Sequence, residues 1–323
     1  MRPITGRRLG SAVTRWAGLA AIMLITAMIG IRVPTVRTPA EGNPVATSVA
    51  GAASAGSRAM RAADDAVGAA RDVGVAIAVL DRTSGVMAQN SAATEPMFSA
   101  SLAKVVVAVD LFDRRRTEAL PLGDADVDLV RRALGPSDDA AMNTLWTRFD
   151  GMGAIGRVTA RLGLTGTAPP VDPGIWGWMT TTARDVALLL RYVAEMPQPE
   201  GDVIIGALAE APPVAADGFA QDFGLQAPGV RDITAAKQGW MQWPAETAYL
   251  HSAGLVGADH RFVVAILGRQ TFPEPDWLTL RQSVDTAAAA AAGVLRDRLG
   301  PPVAAGGLAI PNVHFPGVVG HLH

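Results

Sequence analysis

Ser101 and Lys104 stand three residues apart, as S-x-x-K, at the head of an apolar run from Leu102 to Phe112. On a helix, positions i and i+3 share a face, so the lysine amine reaches back to the serine hydroxyl. Serine is a poor nucleophile until a base takes its proton. A lysine buried near other positive charge loses its own proton near neutral pH and can be that base. The serine N–H, at a helix start, adds a donor for an oxyanion. Ser137-Asp138-Asp139 follows at a loop-to-helix junction, 36 residues on. It reads either as an N-cap or as a second hydroxyl of a site. Lys237-Gln238-Gly239 closes a strand; its glycine either makes a turn or lets backbone approach a ligand closely. The chain has 26 arginines and two lysines, and both lysines lie in these motifs. Arginine stays charged, whereas lysine can shift its pKa and carry a proton.

These groups need elements to hold them. Apolar residues make up 49% and charged residues 18%, which supports a sizeable core and excludes global disorder. The spacing predicts a strand over 74–81, a turn at 82–85 and a return strand over 86–89. Helices are expected over 102–112, 122–134, 138–149, 151–162 and, capped by Thr182, over 183–196. Arg114-Arg115-Arg116 suit a solvated helix C-terminus. A Gly/Pro/Thr-rich loop spans 163–179, and 197–230 has no clear period. Strands over 232–238, 246–255 and 260–268 and an Ala-rich helix over 277–298 complete the order. Both ends of the chain then share one sheet around an inserted helical block, an α+β layout.

Other chemistries find no support. There is no cysteine, hence no disulfide, thiolate metal site, thiol nucleophile or lipidated N-terminal cysteine. His251, His260, His314, His321 and His323 form no helical pair, so no metal is expected, and no cofactor either. G-x-S-x-G and a Gly-rich phosphate loop are both absent.

In their order, S-x-x-K, Ser137-Asp138-Asp139 and Lys237-Gln238-Gly239 resemble the S-x-x-K, S-D-N and K-T-G signatures of the active-serine β-lactamase and penicillin-binding-protein superfamily. The resemblance covers roughly residues 72 to 298. Met97-Phe98-Ser99-Ala100 looks like the approach to that nucleophile. Asn143 stands six residues after Ser137, as in the family, and Thr180-Thr181-Thr182-Ala183-Arg184-Asp185 looks like the start of the helix after its omega loop. The resemblance implies an antiparallel sheet flanked by N- and C-terminal helices, with an all-helical subdomain over about 101–200. It implies Ser101 as acylated nucleophile, Lys104 as base and Ser137 as proton relay. Lys237 would supply positive charge, and the N–H groups of Ser101 and Trp240 the oxyanion hole. Asp139, Gln238 and Gly239 would meet a β-lactam or peptidoglycan-derived peptide.

Three departures stand out. Asp139 replaces the amide of S-D-N, and an ionised carboxylate only accepts hydrogen bonds. Gln238 replaces a hydroxyl residue. No glutamate occurs between Glu118 and Glu195, where class A β-lactamases keep their deacylating base. Asp172 is either a substitute base or a loop cap. Without a base the acyl-enzyme is long-lived. The expectation is therefore a slow serine hydrolase, with a non-hydrolytic envelope binding module as the alternative. Trp176, Trp178, Trp240 and Trp243 fall near the same loops, to wall a cleft or to pack in the core.

Arg2, Arg7, Arg8 and Arg15 precede an apolar run from Trp16 to Ile31, with no acid before Glu41. Residues 1–34 read as a signal peptide or an uncleaved signal anchor, and the remainder as exported. Residues 35–70 read as a flexible Ala/Gly/Ser-rich linker, 71–300 as the hydrolase domain and 301–323 as a Gly/Pro-rich tail. Residues 1–34 hold five arginines and no acid, so the rest carries 23 basic and 30 acidic residues, which argues against nucleic acid as a partner. The membrane is a partner if the N-terminal segment stays.

Overall fold

Residues 73–81 are apolar at both parities, the pattern of a strand covered on both faces. In the computed structural model, which describes residues 44–68, 73–243, 246–271 and 276–296, they form β1 (Val73–Asp81). Val75, Ile77 and Val79 enter one core, whereas Ala76, Ala78 and Leu80 enter another on the opposite face. The expected turn returns the chain as β2 (Val86–Gln89).

Part of the expected linker over 35–70 is corrected. Pro44–Val67 is a helix, α1. Alanine is the strongest helix former. Ala55, Ala59, Ala63 and Val67 recur at four-residue spacing and are buried. Their small side chains give little hydrophobic signal, so composition alone reads them as linker. This is the N-terminal flanking helix that the resemblance implied.

A two-residue strand, β3 (Met97–Phe98), leads into α2 (Ala103–Thr117). Every residue of α2 from Ala103 to Asp113 is buried, so this helix is the axis of the helical block. Asp110, within it, is held by Arg157 at 2.7 and 2.8 Å. Around it lie α3 (Asp124–Leu134), α4 (Asp139–Arg148) and α5 (Gly151–Leu162). The loop after α5 ends in β4 (Thr180–Thr181), which pairs antiparallel with β3. Thr182 caps α6 (Ala183–Glu195), its Oγ1 accepting from Asp185 N at 3.0 Å. The unassigned stretch 197–230 contains α7 (Glu200–Ala209) and a Val214–Ala220 bridge.

Three long strands follow, β5 (Thr234–Gln242), β6 (Thr247–Val256) and β7 (Phe262–Thr271), then α8 (Trp277–Arg296). The five-stranded sheet is antiparallel in the order β2-β1-β7-β6-β5, so both chain ends build it and β5 is a free edge. α1 and α8 cover one face; the helical block covers the other. The architecture is α+β, as expected. Residues 1–34 and 301–323 lie outside the described residues. Among the described residues no helix is long and apolar enough to cross a membrane.

Candidate active site

The segment that carries Ser101 is fixed before α2 begins. Ser99 N donates to Met179 O at 2.7 Å, which ties it to the β4 side. Ala100 then takes φ 47°, a left-handed conformation unfavourable for alanine, and a short 3-10 turn carries Ser101 to the helix start. On the other side Gly239 of β5 packs against the same segment. A Cβ there would lie 3.1 Å from Ser99 O. Gly239 thus approaches the backbone just before Ser101, where the sequence reading had it approach a ligand.

Ser101, Lys104, Ser137 and Lys237 converge, each 6% exposed or less. Lys104 Nζ donates to Ser101 Oγ at 3.0 Å, Ser137 O at 2.7 Å, Ser137 Oγ at 3.0 Å and Asp139 Oδ1 at 2.6 Å. Four oxygens thus compete for three ammonium protons. Lys237 Nζ donates to the same Ser137 Oγ at 2.9 Å and to Gln238 O at 2.8 Å. Ser137 sits between the two amines, and its φ of 58° comes from the turn that starts α4. The N-cap of α4 is its neighbour Asp138, whose Oδ1 accepts from Ala141 N, so Ser137 is left free for the site.

Burial lowers the Lys104 pKa from its ordinary value, against the opposing pull of Asp139. Burial lowers Lys237 well below its ordinary value, and the Lys104 charge adds to this. The Trp176 ring lies 4.9 Å from Lys104 Nζ and the Trp240 ring 5.7 Å from Lys237 Nζ. Trp176 is held in turn by Asn143, whose Oδ1 accepts from its Nε1 at 2.8 Å.

These groups open on a cleft of about 490 Å³, lined among others by Ser101, Asp139, Trp176, Trp178, Asp217 and Trp240. Trp243 stacks on Trp178 at 4.9 Å, so the four tryptophans wall or back this cleft. Asp217 forms an Asp-Gly turn signal with Gly218 but carries no sequence signal of a place in the site. It lies in the hairpin between Val214 and Ala220, which Ala216 N anchors to Pro136 O at 2.7 Å, beside Ser137.

Two expected site residues are not brought in. Strand alternation turns Gln238 to the face opposite Lys237. Its Nε2 donates to Phe223 O at 2.8 Å and Ser252 Oγ at 3.1 Å, so the buried side chain cannot meet a substrate. Asp172 is exposed, and its Oδ1 accepts from Gly174 N at 2.8 Å. It caps its own loop and does not line the cleft. Sequence reasoning also missed His251, which is buried under Gly239 with Nε2 donating to Phe98 O at 2.8 Å.

The sequence matches no family profile. It is 31% identical over 227 residues to LppW, a protein named as a lipoprotein, of Mycobacterium tuberculosis and Mycobacterium bovis. The match spans 69% of this chain and 71% of LppW.

The chain belongs to the LppW family.

Solved structures show what fold this member of the LppW family has. A class A β-lactamase from Bacteroides cellulosilyticus superposes with a TM-score of 0.60 at 13% identity, over 75% of this chain and 99% of that one. A β-lactamase from Sphaerobacter thermophilus gives 0.57 at 18% identity, over 72% and 96%. The penicillin-binding protein PBP-A gives 0.58 at 14% identity, over 74% and 96%. The fold is that of the serine β-lactamase and penicillin-binding-protein superfamily.

Proposed function

We propose that this protein is an exported serine hydrolase that opens β-lactam or D-alanyl-peptide amides through an acyl-enzyme on Ser101 and releases the acyl group slowly. The observation that carries this reading is the unbroken chain Ser101–Lys104–Ser137–Lys237 at hydrogen-bond distance. Neutral Lys104 takes the Ser101 proton as Oγ attacks the substrate carbonyl carbon. The oxyanion forms against the N–H groups of Ser101 and Trp240, each such donor worth about 3 kcal/mol of transition-state stabilisation. As the intermediate collapses, the C–N bond breaks. The leaving nitrogen takes a proton through Ser137, which is refilled from the Lys104–Lys237 side. Water then hydrolyses the ester.

Slow deacylation rests on what stands around the cleft. Asp172 is turned to its own loop, and the face of Lys104 towards that loop is covered by Trp176. Asp139 is bonded to Lys104 at 2.6 Å and Asp217 to Trp240 Nε1 at 3.1 Å, and the loop over 163–179 holds no glutamate to act as a dedicated base. Export follows from the arginine-flanked apolar run within residues 1–34 and from the lipoprotein name of the relative. These 323 residues have no cysteine to lipidate, so we assign membrane contact to that run.

Incubation with a labelled penicillin should yield a covalent adduct on Ser101, found by mass spectrometry and persisting for minutes or longer. No adduct on the wild type, or an equal adduct on Ser101→Ala, would refute the reading. A second reading is favoured by Asp139 and by the buried Gln238: a binding module that retains the fold without turnover. Turnover of a chromogenic cephalosporin that is lost in Lys104→Ala would eliminate it.

A further inference from the structure

Resting on the acyl-enzyme reading, we infer that the cleft selects substrates carrying an ammonium group near the reacting carbonyl and discriminates against those with a free carboxylate there. The cations of the site lie behind the reacting atoms. Lys104 and Lys237 are each 1% exposed. Their amines are engaged by Ser101, Ser137, Asp139 and the Gln238 carbonyl. The charges that face an incoming ligand are both negative. The Asp139 side chain is 58% exposed, and Asp217 is exposed on the hairpin opposite.

Asp217 is aimed. Its Oδ1 accepts from Phe219 N at 2.9 Å and its Oδ2 from Trp240 Nε1 at 3.1 Å. Each carboxylate oxygen has a further lone pair for a ligand N–H. Among the described residues, no arginine lines the cleft. Trp176, Trp178 and Trp240 line the same cleft, but their ring faces are engaged by Lys104, by Phe98 and Trp243, and by Phe219 and Lys237, so the charge preference rests on the two carboxylates. A terminal carboxylate would therefore meet charge of its own sign before reaching either lysine. An amine-bearing, amidated peptide or β-lactam would meet charge of the opposite sign.

The test uses three D-alanyl thioesters identical except for one end group of the leaving thiol: trimethylammonium, methyl or carboxylate. Adduct formation on Ser101 is followed at low and high salt. The cationic probe should acylate about three- to tenfold faster than the neutral one, and the anionic probe slowest, with the spread narrowing in high salt. Asp217→Asn should reduce the cationic-to-neutral ratio. Equal rates, or a faster anionic probe, would overturn the inference. If no probe acylates Ser101, the acyl-enzyme reading fails by itself. Equilibrium binding of the three probes to Ser101→Ala then decides the charge preference: tightest binding of the cation upholds it, and equal or tighter binding of the anion overturns it.

Discussion

Asp139 places a carboxylate where the S-D-N signature has an amide, and the consequence falls on Lys104. Burial favours the neutral amine, while Asp139 at 2.6 Å favours the ammonium. The base is therefore available only above a pH that Asp139 helps to set. Asp139→Asn removes the opposing charge, so the neutral amine forms at lower pH. The acid limb of the acylation rate should move to lower pH, making acylation of the variant faster than wild type at pH 6. A pH profile of adduct formation measures this; an unmoved limb, or one moved upward, would refute it. The same residues show what spacing reveals. Lys104 and Lys237 were legible because each sits in a motif and arginine occupies every other basic position. Gln238 was misread because motif position was taken for side-chain direction, although period-two alternation beside Lys237 sends it to the other face. Asp217 was illegible, since only the fold of its hairpin brings it beside Ser137.

At the scale of elements, the Ser101 segment hangs between β4 and the β5–β6 pair. His251 is the link on the β6 side. It is fully buried and bonded through Nε2 to Phe98 O, and its Nδ1 finds no hydrogen-bond partner among the described residues. Burial holds its pKa down to about 4 from the ordinary 6.5. As pH falls, the unfolded chain takes up the proton first. The stability is thus fully present above about pH 6.5 and is lost between 6.5 and 4, to a total of about 3 kcal/mol. In His251→Asn the amide can still donate but does not titrate. Urea unfolding at pH 7 and pH 4.5 should show a smaller loss for the variant than for wild type. Equal losses would place the acid sensitivity elsewhere. β1 and β7 are legible because both parities are apolar, whereas β5 does not close at Lys237-Gln238-Gly239 as expected but runs through that motif to Gln242. α1 is not legible, because its alanine stripe acquires meaning only against the Ala287, Ala288 and Ala291 face of α8.

For the whole molecule, the sheet separates two cores, and the site lies at its free edge, where β5 meets the helical block. The core under α1 and α8 meets the site at Trp240, which packs against it, and it backs the strands that hold Gly239 and His251. A chain beginning at residue 69 should lose at least about 4 kcal/mol relative to one beginning at residue 43, from the Ala55, Ala59, Ala63 and Val67 stripe and the strand face it covers. Denaturant midpoints measure this, and coincident midpoints would refute it. The two lysines have one more consequence. Because the chain has no others and both are buried, a lysine-specific protease finds its only cleavage points within the proposed catalytic centre. Cutting by such an enzyme reports how often that centre opens, and a bound acyl group that holds it shut should lengthen the survival of the intact chain.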